Sequence, residues 1–183
     1  HSDFSTQDGL SKPRELIEAA IKKNISAIAI TDHGVMGGVA EFYSTSEKND
    51  FQIKHIFGLE AYFIDSLTGW QNERERLENV ENIPDDELKL LKKINNSYSH
   101  LILLAKNEIG LANLFELTFR GHKEGFYRKP RIDKQHLEKL NEGIIATSAC
   151  MIGPLSSMLL RTYQKEKKVD LISLEREIEW WSS

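Results

Sequence analysis

Helix and strand signals alternate along this chain, and that alternation predicts an α/β fold built on a parallel sheet. Three observations carry it. The run ISAIAIT (25–31) is short, β-branched and apolar almost throughout, as in a parallel strand covered on both faces. Amphipathic helical stretches stand on either side of it. The strand signal then returns at 53–64, 99–107 and 142–150, with another amphipathic helix between the last two.

Taken in order, SKPRELIEAAIKKN (11–24) predicts the first helix. Ser11 is the expected N-cap, and Pro13 falls in the first turn, where its missing N–H costs little. Leu16, Ile17, Ala20 and Ile21 form its apolar stripe. The strand 25–31 leads into a glycine-containing turn, TDHGVMGG, and then a second helix around VAEFYSTSEKN. IKHIFGLEAYFI (53–64) is the next strand, with a bend expected near Gly58. SHLILLAKN (99–107) and EGIIATSAC (142–150) are strands, NEIGLANLFELTFRG (107–121) the helix between them, and DLISLEREIEWW (170–181) a last helix. The segment 70–93 breaks the rhythm. It is highly charged, carries no strand signal and is interrupted at Pro84, so it is expected to be a helical or mobile surface insertion whose charges simply face solvent. No internal repeat or low-complexity tract is present.

The 183 residues suit one domain or part of a larger one, and 40% hydrophobic content supplies a real core. A formal net charge of −4 argues against holding duplex DNA by overall positive charge, while leaving room for a local basic patch. The single cysteine, Cys150, excludes an internal disulfide framework and fits a reducing cytoplasm. No apolar run approaches the roughly 20 residues a membrane helix needs.

In parallel α/β folds, ligands and catalytic groups collect at the C-terminal ends of strands. Strand 25–31 runs straight into Asp32 and His33, Glu60 sits among apolar neighbours, and strand 143–147 runs into Cys150. His100 opens the apolar run SHLILLA, where pattern alone does not place it on the same rim. Each has an ordinary explanation: a helix cap, a solvent-facing glutamate, a small core thiol. Together they are metal-ligand types. Their wide spacing excludes a local zinc finger and suits a site assembled from several strands.

The blocks HSDFSTQDGL, AIAITDHGVMGG, IFGLEAYF, SHLILLAKNEIGLANL, EGFYRKPRID and EGIIATSAC resemble the PHP (polymerase and histidinol phosphatase) domain, in the version found at the N-terminus of bacterial DNA polymerase III α subunits. The resemblance covers most of residues 1–160. LLAKNEIGLANL and FYRKPRID point to the polymerase branch. It implies a partial, distorted (β/α)7 barrel of the PHP type over residues 1–183, with 70–93 as a charged insertion. It implies that His1, Asp8, His33, Glu60, His100 and Cys150 hold metal, with Asp32 orienting them from behind. The family's first histidine would precede His1, and its later Asp-x-His would follow Ser183. The chain is therefore expected to be an N-terminal fragment of a longer one or a gene product cut short, with the open barrel completed by further chain.

What the resemblance implies chemically is metal-dependent phosphoester hydrolysis. In a polymerase this would be a 3′→5′ exonuclease acting on the DNA primer terminus. Two or three divalent ions are expected, Zn or Mn first, with Mg or Fe as further candidates. The expected partners are the rest of the polymerase chain and other replisome proteins, with no membrane. Arg131, with Arg128 and Lys129, is the candidate phosphate grip, because a guanidinium matches phosphate oxygens; a salt bridge from Arg131 to Asp133 or another local acid is the even alternative. Core packing is the expectation for Phe126 and Tyr127 over base stacking, and surface placement for His55, His122 and His136. Trp180 and Trp181 are expected to pack on chain beyond Ser183. Polymerisation by this segment alone is not expected, since no palm-type carboxylates can be assigned. Two other functions stay open: a free-standing phosphatase acting on a small phosphate ester, and a silent scaffold docking a separate exonuclease.

Overall fold

The computed structural model describes residues 1–6, 8–80, 83–166 and 170–182. The elements run α1 (Pro13–Lys22), β1 (Ala27–Ile30), α2 (Val39–Lys48), β2 (Lys54–Ile64), α3 (Leu67–Glu78), α4 (Asp85–Asn95) and β3 (Ser99–Ala105). They continue with α5 (Glu108–Glu124), β4 (Phe126–Tyr127), β5 (Lys129–Asp133), α6 (Lys134–Leu140), β6 (Ile144–Thr147), α7 (Pro154–Glu166) and α8 (Leu171–Ser182). Every strand and helix expected above is present. The cap of α1 is corrected by one residue. Lys12, not Ser11, occupies the N-cap position, and its N–H donates to the Glu15 carboxylate at 2.8 Å.

β2 organises the sheet, whose order is β4-β5-β2-β3-β6 with β1 also on β2. Along its first half β2 pairs in parallel with β1, from Ala27↔Lys54 to Ile30↔Phe57. From Gly58 onward it pairs antiparallel with β3, and at Tyr62–Ile64 it pairs in parallel with β5. β6 joins the far edge of β3, again antiparallel. The sheet is therefore mixed, not purely parallel, and among the described residues it does not close on itself, as in a partial barrel. The strand covered on both faces is β2, buried at every position from Gly58 to Phe63, whereas Ala29 of β1 is exposed.

Gly58 stands where β2 changes neighbour. A Cβ there would lie 2.7 Å from the Leu103 carbonyl oxygen and 2.8 Å from the Thr31 methyl, so only a residue without one lets three chains approach this closely. The core spreads from this strand. Leu59, Ala61 and Phe63 of β2 join Leu101 and Leu103 of β3, Ile17 and Ala20 of α1, Phe42 of α2, and Leu114 and Leu117 of α5.

In the charged segment the described residues form two helices. α3 and α4 flank Pro84, and the buried Trp70 indole donates to the Ile94 carbonyl at 2.9 Å. Trp180 and Trp181 are also placed differently from the expectation. They pack on this chain's own core, with ring centroids 6.5 and 5.3 Å from Phe63. α8 is further tied by the Lys134–Glu177 ion pair at 2.6 Å.

Replacing Gly58 by Ala is expected to destabilise the protein by about 1–3 kcal/mol, because the neighbours are backbone and a β-strand side chain that cannot swing aside. Denaturant unfolding of the variant checks this, and an unchanged midpoint contradicts the close packing described.

Candidate metal centre

The strand ends deliver four chain segments to one place. β1 runs on past Ile30 and makes an isolated parallel bridge between His33 and Glu60. The Glu60 N–H donates to the Asp32 carbonyl at 3.1 Å, and the Gly34 N–H to the Glu60 carbonyl at 2.9 Å. Gly34 takes φ +65° there, and a Cβ would meet Pro130 at 2.7 Å. Because β3 is antiparallel to β2, its start lies at the same end of the sheet. His100 pairs with Tyr62, two residues beyond Glu60 and on the same face. β6 ends at this rim too, and the following loop is held by the His100 N–H donating to the Ile152 carbonyl at 3.1 Å.

The side chains meet around Glu60, which is only 5% exposed. His1 Nε2 lies 2.8 Å from one Glu60 oxygen, and His100 Nδ1 lies 2.8 Å from the other. His33 Nε2 is 3.3 Å and His1 Nε2 3.7 Å from the Asp8 carboxylate. The imidazoles of His1 and His33 are stacked at 4.3 Å, and that of His100 is 4.8 Å from His33. His1, Asp8 and His33 form one group able to grip a cation, and His33, Glu60 and His100 a second. Cys150 Sγ stands at the exposed margin, 3.7 Å from His100 Nδ1.

Nitrogen and oxygen lone pairs at 2.8 Å repel unless a proton or a cation lies between them. The Ser5 hydroxyl helps decide which. It donates its hydrogen to Asp32 at 2.8 Å and accepts the His33 N–H at 3.0 Å. Its 3.3 Å contact with His1 Nδ1 is then satisfied when that nitrogen carries the proton, and in the neutral ring Nε2 is then a bare lone pair facing the carboxylates. His33 Nδ1 is buried without any hydrogen-bond partner, 3.8 Å from Glu60. Burial pulls the His33 imidazole below its ordinary pKa, against Glu60, which raises it. A neutral ring with a free lone pair is what a cation needs, so the residues present fit a metal.

Asp32 is buried behind the cluster. It accepts from the Ser2 N–H at 2.6 Å, the Ser2 hydroxyl at 2.7 Å and the Ser5 hydroxyl at 2.8 Å. It thereby fastens the segment carrying His1 and Asp8 to the end of β1. Ser2, Ser5 and Tyr62 escaped the sequence reading. Tyr62 stacks on His33 at 5.8 Å and meets His100 edge-on. Its position two residues after Glu60 on a strand was the available signal.

The basic block separates into two kinds of residue. Lys129 reaches the cluster's edge, with Nζ donating to the Tyr62 hydroxyl at 3.1 Å. Arg128 is exposed in a turn at φ 60°. The expectation that Arg131 grips phosphate is corrected. Its side chain is fully buried, and its guanidinium donates to the carbonyls of Asn95, Ser97, Tyr127 and Lys129 while facing the Trp70 ring at 4.6 Å. Nor does it pair with Asp133, which caps α6 and accepts the Leu67 N–H at 2.7 Å.

The remaining histidines and aromatics also shift. His136 is buried between Asp133 at 2.7 Å and Glu124 at 3.1 Å, not on the surface. His55 sits half-buried among Tyr43, Phe51 and Phe57. His122 is exposed, yet its Nε2 lies 3.0 Å from the Gly34 carbonyl. Phe126 is 56% exposed and lies outside the core.

The fold and this cluster define an α/β domain with a candidate metal centre at its strand ends, and the PHP domain family matches residues 1–182, so the chain belongs to that family. It is similar to the DNA polymerase III subunit alpha of Borreliella burgdorferi, 40% identical over 176 residues, which cover 94% of this chain and 13% of that protein. The subunit alpha of Aquifex aeolicus is 41% identical over 153 residues, 84% of this chain and 12% of that protein. The chain thus spans about one eighth of these relatives' length. A crystal structure of a putative metal-dependent phosphoesterase from Bifidobacterium adolescentis overlaps 67% of this chain and 32% of that one, at 21% identity and a TM-score of 0.37. That overlap is too loose to bear on function. No helix among the described residues is long and apolar enough to cross a membrane.

Asp32→Ala removes the acceptor shared by three donors. A loss of about 1–3 kcal/mol is expected, with faster amide exchange at Ser2 and His33 than elsewhere. Uniform exchange across the protein contradicts a fastening role for Asp32.

Proposed function

We propose that this domain is a metal-dependent phosphoesterase that removes nucleotides from 3′ ends of DNA, as the proofreading part of a DNA polymerase III α-type protein. The observation that carries the reading is the convergence on Glu60 of imidazoles from three separate chain segments, one of them with a buried, unpartnered nitrogen.

In this reading His1, Asp8, His33, Glu60, His100 and Cys150 hold two or three divalent cations. Three imidazoles and a marginal thiolate favour Zn or Mn, with the carboxylates also able to take Mg or Fe. Such cations lower the pKa of a bound water and neutralise charge developing on phosphoryl oxygens. The protein's part is positional. Glu60 presents one oxygen to His1 and the other to His100. Ser5 holds His1 with Nε2 bare, and Asp32 holds Ser5. Asp8, half exposed, closes the open side beside His33. Lys129 on the Tyr62 hydroxyl places a positive charge at the edge where a phosphate would enter. DNA ends, the remainder of a polymerase chain and other replisome proteins are the partners, in a cytoplasm that keeps Cys150 reduced. Similarity to polymerase III α subunits favours a DNA substrate over a small phosphate ester.

Asp8→Ala, His33→Ala and Glu60→Gln are each expected to lower 3′-nucleotide release by more than about 100-fold, since even residues behind metal ligands cost 10–100-fold. Elemental analysis of the purified variants should show metal lost in parallel. Full metal content with activity lost would move these residues to another role, and metal without any hydrolysis in the parent protein would favour the scaffold.

A further inference from the structure

We infer that Phe126 and His122 form a stacking platform for a nucleobase of a single-stranded 3′ end, with Arg128 and Lys129 holding the flanking phosphates. The inference builds on the exonuclease reading. Phe126 is a large aromatic on a two-residue strand, and 56% of it is exposed. Its ring is stacked on His122 at 5.8 Å with 17° between planes. The pair is anchored to the metal centre. His122 Nε2 lies 3.0 Å from the carbonyl of Gly34, the residue after His33. Pro130, the hairpin partner of Phe126, presses on the same glycine.

Charge favours a polyanion as the occupant. In a chain of net charge −4, residues 120–131 carry five basic side chains and one acid. Arg131 turns inward and Arg120 pairs with Glu116 at 2.7 Å. Lys123, Arg128 and Lys129 make no ion pair with any described residue. The turn is also stiffened from below, where the Arg74 guanidinium lies 3.8 Å over the Tyr127 ring and Arg131 holds the carbonyls of Tyr127 and Lys129. A rigid aromatic face loses little freedom when a ring settles on it. Exposed aromatics bordered by cations outside ion pairs are the composition of single-strand binding grooves.

The test uses the full-length protein and two oligodeoxynucleotides, one intact and one with an abasic residue among its last three 3′ positions. The wild type should prefer the intact strand by about 5- to 150-fold in kcat/KM, the range expected of one stacked base. Phe126→Ala should abolish that preference, Phe126→Trp should keep it, and bound-metal content should be unchanged in both. Equal losses on all substrates, or an undiminished preference in Phe126→Ala, overturn the platform. Without added metal, photo-crosslinking of a strand carrying 5-iodouridine near its 3′ end should label the peptide containing Phe126. Labelling only elsewhere in the protein overturns the platform. Labelling at Phe126 in a protein that releases no nucleotide supports the platform and sinks the exonuclease reading instead.

Discussion

A buried carboxylate on the central strand sets the terms for the rest of this molecule. Glu60 lies in the stretch of β2 that is covered on both faces, where an uncompensated charge costs several kcal/mol. Its backbone ties the β1 extension to the sheet, and its side chain draws His1 and His100 to 2.8 Å. Apolar packing could not justify a glutamate there, and a single imidazole would satisfy only one oxygen. Three converging rings and a second carboxylate, Asp8, make sense as a set that a divalent cation completes. The serine-rich turn at the start of the chain belongs to the same set. Ser2 and Ser5 spend their hydrogens on Asp32, so the loop carrying His1 and Asp8 is fixed by hydrogen bonds where it has little apolar surface to bury.

Most elements could be read from the sequence because their periodicity is long enough to register. α1, α5 and α8 show a helical apolar stripe, and the six-residue buried centre of β2 is apolar but for Glu60. Among the elements that escaped, α7 is long, with thirteen residues, and the others are too short for a period. β4 has two residues, and α6 has seven with its start signalled only by the Asp133 cap. Strand direction was equally hidden. Nothing in SHLILLA says that it runs against β2, because both directions bury the same residues. Yet direction is what brings His100, at the beginning of its strand, to the rim where β1 and β6 end.

The candidate metal ligands were legible as types, since few reasons exist for histidine, acid and thiol to stand where apolar runs end. What held them was less so. Asp32 depends on hydroxyls nearly thirty residues away in sequence, and Tyr62 looked like one more strand aromatic. Such contacts are set by tertiary approach and leave no local pattern.

The fate of the basic block shows where reading charge from sequence stops. Lys129 and Arg131 lie on one face of β5 and look equivalent. Depth separates them. Arg131 lies opposite Tyr62 inside the sheet, where it must meet carbonyls to remain charged, and burial pulls its pKa below the ordinary arginine value. Lys129, at the strand's first position, reaches only the outer end of Tyr62. A guanidinium that binds four carbonyls has no donors left in a fork for phosphate, but it can hold the turn that presents its neighbours. The buried arginine of the block thus contributes rigidity, and the exposed Arg128 and half-buried Lys129 at the turn keep their charge outside ion pairs among the described residues. Total charge could not predict that division, because it follows from which residue the hairpin buries.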